Sequence, residues 1–108
     1  PVACHMVSQS LDLPILVIVL NNGIWNAVRR ATLAIYPDGQ ASKMNTMPIT
    51  SLQPSPEYTK IAEASGHWAE KVETGTDLPA ALGRALGVIK NERRLALLEL
   101  NIAVANTA

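Results

Sequence analysis

The chain has 108 residues, of which 48% are apolar, 17% charged and 4% aromatic, and its nine basic and nine acidic groups cancel. That length allows one domain with a core burying roughly two-thirds of the surface of the unfolded chain, and zero net charge excludes the basic surplus a nucleic-acid binder needs. A charged fraction below the roughly 25% usual in globular domains predicts that part of the surface is covered by something else.

Three further classes drop out. The longest apolar run, Leu13 to Leu20, is far short of the roughly 20 residues of a membrane span, and no signal peptide is visible. A lone Cys4 precludes an internal disulfide and the four-ligand zinc frameworks, and it fits a reducing, cytoplasmic setting. The start at Pro1 rather than Met predicts an excised piece of a longer protein.

Residues 2–12 place Ala3, Met6, Val7 and Leu11 at helical spacing, which predicts a short amphipathic helix. After Pro14, the run Ile15 to Leu20 is continuous, mostly β-branched and of strand length, as expected of a strand buried on both faces. Beyond Asn21-Asn22-Gly23 the apolar period lengthens, with Ile24, Ala27, Val28, Ala31 and Ile35 predicting a helix that starts near Ile24 or Trp25. Residues 36–54 lack periodicity and include Pro37, Gly39, Pro48 and Pro54, so they read as a flexible, lid-like loop.

A further helix is expected from Ser55 as N-cap, with Pro56 in its first turn, to a stop at Gly66. Trp68 to Val72 alternates like a strand, and Asp77-Leu78-Pro79 opens a helix whose predicted buried stripe is Leu78, Leu82, Leu86 and Ile89. Gly83 and Gly87, four apart in that helix, fit either close approach of a neighbouring backbone or a tolerant surface. Leu95 to Ile102 is a third strand. Strands alternating with helices predict an α/β fold: a partial parallel sheet with helices on both faces and right-handed crossovers. Three strands are few for such a sheet, which predicts more sheet outside these residues.

Open parallel sheets bind ligands beyond the carboxyl ends of their strands, where the next helix turns unpaired N–H groups outward. Asn21-Asn22-Gly23 occupies that position. An amide oxygen of Asn22 and a main-chain carbonyl of the turn suit magnesium, which takes oxygen ligands, and the helix start suits a phosphate. Asn-Gly is also a strong hairpin signal, although the residues after it repeat at helical spacing. On pattern alone, a ligand-binding turn and a purely structural one both stand.

The stretch LPILVIVLNNGIWNAVRRA resembles the second half of the thiamine-diphosphate motif, a Gly-Asp-Gly triplet followed further along the chain by Asn-Asn. EASGHWAEKVE, DLPAALGRAL and RRLALLELNI are similar to the carboxyl-terminal end of the acetolactate synthase family and its benzoylformate decarboxylase relatives, so the resemblance covers nearly the whole chain. It implies that residues 1–108 are a carboxyl-terminal fragment of a thiamine-diphosphate-binding domain. It further implies that Asn22 ligates magnesium through its side chain and Ile24 through its carbonyl, that Asn21 packs at the strand end, and that the amide near Trp25 lies by the diphosphate. The triplet's Asp, the glutamate that activates the cofactor and the bulky residue that bends it are implied elsewhere.

The implied activity is that of an enzyme acting on 2-keto acids, decarboxylation with carboligation, working as a homodimer or tetramer with the remaining domains of the parent chain. The alternatives are a simple 2-keto acid decarboxylase of the same family and a non-catalytic interaction domain with this fold. Biosynthetic acetolactate synthases usually follow Asn-Asn with acidic residues and a Gly-Met pair, whereas Gly23-Ile24-Trp25-Asn26-Ala27-Val28-Arg29-Arg30 stands here; this leaves the reaction type open. Outside the motif, Cys4-His5 lacks partners for a metal site, and His67 reads as a solvated or capping residue. Arg29 and Arg30 fit either a substrate contact or a solvated helix face, and Lys90, Arg93 and Arg94 read as a helix end.

Overall fold

The computed structural model describes residues 2–44 and 49–104; Pro1 and residues 45–48 of the expected loop lie outside the described residues. The chain divides into two compact units, whose described parts are residues 2–21 with 57–102, and 22–44 with 49–56 and 103–104.

The first unit holds a three-stranded parallel sheet of β1 (Leu16–Asn21), β2 (Trp68–Val72) and β3 (Ala96–Asn101) in the order β1-β3-β2. In register, Leu16 and Trp68 both flank Ala96. Helices α1 (Ala3–Ser10), α4 (Tyr58–Ala64) and α5 (Leu78–Gly87) belong to this unit. On one face, Ala81 and Ala85 of α5 pack with Val72, Ala96 and Leu98. On the other, Ala62 of α4 packs with Leu95 and Leu97. The chain steps from β1 past β3 to β2 and then back to β3, so crossovers of one hand must use opposite faces of the sheet. The expected α/β architecture is therefore present.

Several expectations change in detail. The strand buried on both faces is β3, where Ala96, Leu97, Leu98 and Glu99 are all buried. β1 is an edge strand, and Ile18 and Leu20 remain 47% and 63% exposed. The continuous apolar run identified a strand but not which of its faces the small helical layer reaches; the cluster under α5 takes in β2, β3 and Leu16 at the start of β1, while Ile18 and Leu20 further along β1 stay exposed. In α1 the predicted stripe is exposed at Met6, Val7 and Leu11, while His5 and Ser8 are buried. Ser8 is satisfied there because its Oγ donates to Leu13 O (2.6 Å), whereas for His5 it is the main-chain carbonyl that is paired, accepting from His67, and the ring Nδ1 has no partner.

In α5 the fully buried positions are Ala81 and Ala85, followed by Val88 in a π-helical turn (Val88–Glu92), whereas Leu86 is exposed. Small residues sit closest to the sheet because they let the helix approach, and Leu78, Leu82 and Ile89 flank them. Nothing lies within 4 Å of a Cβ built on Gly83, and one on Gly87 meets only the Asn91 side chain at 4.0 Å, so these glycines mark surface rather than close backbone approach.

Helix α4 begins after Glu57, not Ser55, whose hydroxyl donates to its neighbour's carbonyl at Pro56 (3.5 Å). Its predicted end holds: Gly66 has φ +75°, Gly66 N donates to Glu63 O (2.9 Å) and His67 N to Ala62 O (3.1 Å). This is a Schellman closure requiring a left-handed residue.

The second unit contains α2 (Asn26–Ile35) and the short α3 (Gln40–Lys43). α2 starts after Trp25, slightly later than the spacing predicts, and none of its residues is fully buried. Among its described residues the expected loop contains α3 and an antiparallel bridge from Ser51 to Ile24.

Candidate functional site

The carboxyl ends of β1 and β3 place Asn21 beside Asn101 in register. Asn21 Nδ2 donates to Glu99 Oε1 (2.8 Å), and Asn101 Nδ2 donates to Glu73 Oε2. Lys71 Nζ lies 3.4 Å from Glu73 Oε1. Ile102 N donates to Asn21 O (3.0 Å), extending the parallel ladder to the last residue of β1. Glu99 is 2% exposed, a buried polar residue at the end of an otherwise apolar strand. The sequence reading missed it because it sits inside LALLELN, where a single Glu reads as one solvent-facing position.

In the second unit the chain runs Asn22-Gly23-Ile24-Trp25 into α2. Asn22 Oδ1 accepts from Ile24 N (3.1 Å), closing an Asx turn. Gly23 takes φ +67°, a region glycine enters without steric cost, and a Cβ there would lie 2.5 Å from Gln53 Nε2. Residues 50–52 clasp the turn: Leu52 N donates to Gly23 O (2.9 Å) and Trp25 N to Thr50 O (2.8 Å). The ring of Trp25 is not enclosed, the residue being 54% exposed. At the first residue of α2, the buried Oδ1 of Asn26 has no hydrogen-bond partner.

These atoms have the chemistry of a hard-cation and anion site. A carboxamide oxygen accepts twice, so Asn22 Oδ1 keeps its Ile24 N–H bond while offering a second lone pair. The unpartnered Asn26 Oδ1 adds acceptor character at the same helix end. The amino end of α2 carries roughly half a unit of positive charge, which favours phosphate oxygens. Such neutral oxygens would hold a magnesium ion together with phosphate oxygens that balance its charge, the usual way this ion is bound. The residues present therefore fit a magnesium diphosphate at this turn. The N–H of Trp25 is committed to Thr50, so it reaches an anion only if that clasp opens.

Arg29 and Arg30 belong to α2, whereas Cys4-His5, His67 and the basic run belong to the first unit. His67 is buried rather than solvated: its Nε2 donates to the His5 carbonyl (2.9 Å), and the two rings are 5.6 Å apart. Burial, followed by the neighbouring His67, pushes the His5 pKa down, and its buried Nδ1 has no partner. His67 also lines a cavity of about 110 Å³ with Ser8, Gln9, Asp12, Arg93 and Arg94. The basic run is paired, Arg93 with Asp12 (2.8 Å) and Arg94 with Glu92, as expected of a helix end rather than an anion site. Among the described residues no group of three or more His, Cys, Asp or Glu is placed to hold a metal, and no helix is long and apolar enough to cross a membrane.

A family model described as "Thiamine pyrophosphate enzyme, C-terminal TPP binding domain" matches residues 5–100. No curated protein and no solved structure gave a significant match.

Proposed function

Because the chain belongs to the family of C-terminal, cofactor-binding domains of thiamine pyrophosphate (thiamine diphosphate) enzymes, we propose that it is the diphosphate-anchoring part of an acetolactate synthase-like enzyme acting on 2-keto acids. The cofactor, when bound, supplies the stabilisation of carbanion character that cleavage and formation of bonds next to a keto group require. The chain's own contribution is binding and orientation. The observation that carries the reading is the Asn22-Gly23-Ile24 turn, with its Asx closure and glycine φ, feeding directly into α2.

In this reading Asn22 Oδ1 and the Ile24 carbonyl ligate magnesium, and the amino end of α2 faces the diphosphate. The Asx bond pre-sets the Asn22 rotamer, so little side-chain freedom remains to be lost when the ion arrives. Opening of the Thr50 clasp releases Trp25 N toward the phosphate oxygens. Residues 50–52 thereby act as a cover over the turn. Further ligands come from the diphosphate and from a carboxylate that the resemblance assigns to another part of the enzyme. Assembly as a homodimer or tetramer and a cytoplasmic setting belong to the same reading.

The test is titration calorimetry of thiamine diphosphate into the full-length protein with magnesium present. Asn22→Ala should weaken binding by about tenfold or more, the scale of losses at supporting groups of a metal site. Equal affinity in wild type and variant would remove Asn22 from the site. Product analysis with single 2-keto acids then separates carboligation from simple decarboxylation.

A further inference from the structure

Glu99 is the one buried carboxyl group of the described residues, and the cofactor reading gives it no task. β3 runs Ala96-Leu97-Leu98-Glu99-Leu100, so an apolar residue at position 99 would extend the packed strand without the desolvation that a carboxyl group suffers. Its neighbours in register are Val19 and Lys71, and the Lys71 ammonium group lies against Glu73. What Glu99 does hold is the carboxamide of Asn21, at 2.8 Å. Asn21 is joined by one peptide bond to Asn22, and its carbonyl is fixed by Ile102 N at 3.0 Å. Both the side chain and the main chain of the residue from which the turn departs are thus tied to β3 or its extension.

We propose that Glu99 is a positioning residue for the cofactor turn: its buried carboxyl group clamps the Asn21 carboxamide and so fixes the residue from which Asn22 reaches the metal. This rests on Asn22 being a ligand, as argued above. Glu99 acts through Asn21 and touches neither cofactor nor substrate. The hydrogen bond to the buried central strand restrains the Asn21 side chain and, through its Cα, adds to the hold that Ile102 N has on its carbonyl, and a ligand displaced by about 1 Å loses much of its value in a site demanding near-ideal geometry.

The experiment uses the full-length protein and four substitutions: Glu99→Gln, Glu99→Met, Asn21→Ala and Asn22→Ala. For each, the magnesium-dependent Kd for thiamine diphosphate is read from quenching of tryptophan fluorescence, and the cofactor-free Tm is read separately. Glu99→Met should raise Kd by about tenfold, in the range seen when groups supporting a metal ligand are lost. Glu99→Gln retains an oxygen that accepts from Asn21 Nδ2 and should stay within about threefold of wild type. Asn21→Ala should match Glu99→Met, and the two combined should be no worse than either.

A Glu99→Met protein with lowered Tm but Kd within about twofold of wild type would overturn the proposal, leaving Glu99 a purely structural group. Glu99→Gln as impaired as Glu99→Met would overturn it too. If Glu99→Met does not fold, Asn21→Ala decides, because unchanged Kd there removes the clamp. Asn22→Ala separates the two levels: no loss there overturns the cofactor reading itself, whereas loss there with unchanged Glu99→Met and Asn21→Ala overturns the clamp alone.

Discussion

Leu98→Ala and Ile18→Ala should differ several-fold in their effect on stability, although the two residues are direct partners across β1 and β3. Leu98 is fully buried in the central strand, facing Ala81 and Ala85 of α5 with Ala96 beside it. The three alanines end at Cβ and refill little of the space, and although Val72 and the flanking leucines can relax in part, truncating a fully buried Leu costs about 3–5 kcal/mol. Ile18 is 47% exposed in the edge strand. Roughly half of its transfer free energy is already forgone, so truncation costs about 1 kcal/mol. With a urea m-value of about 1.5 kcal/mol/M, the midpoints fall by about 2–3 M and under 1 M respectively. Urea denaturation of the chain followed by far-ultraviolet circular dichroism reads both. Equal losses would refute the assignment of β3 as the doubly covered strand and of β1 as an edge with one open face.

Gly66→Ala should cost about 1 kcal/mol, because φ is +75° while the nearest atom to the added Cβ is 3.9 Å away, so the penalty is conformational and not steric; a Tm unchanged by the substitution would contradict the Schellman closure. Glu70 is held below the usual carboxyl range chiefly by its hydrogen bonds to Arg84. A depressed folded-state pKa contributes stability above the unfolded value and loses it as pH falls through the folded one, so Glu70→Gln should flatten the acid limb of the stability curve below about pH 4.3. His5 behaves oppositely in origin but not in direction: burial keeps it neutral, the unfolded chain binds its proton first, and stability should fall as pH drops below about 6.5. His5→Leu should remove that slope, and urea midpoints at two pH values straddling the transition measure it.

Period and punctuation located every strand and most helices, because β-branched runs and the Gly66 stop report local backbone preference. They did not report which face was covered. In α5 the side chains that approach the sheet are alanines, which a search for large apolar residues passes over in favour of Leu82 and Leu86. In α1 the buried His5 and Ser8 are hidden for the opposite reason, since their burial depends on partners at His67 and Leu13, one of them 62 residues away. The turn at Asn22 was legible because an Asx closure, a left-handed glycine and a helix start are all local. Thr50 and Glu99 were not, since each reaches the strand-to-helix segment from a distant part of the chain.

Whether the Asn22-Gly23-Ile24 turn anchors the cofactor diphosphate through magnesium, as proposed, is answered by a crystal structure of the full-length protein grown with thiamine diphosphate and magnesium. The expected result places Asn22 Oδ1 and the Ile24 carbonyl oxygen at about 2.0–2.1 Å from one octahedral ion, with Thr50 drawn away from Trp25 N. An ion bound by other residues, with the Asx turn and the Thr50 clasp unchanged, would contradict it.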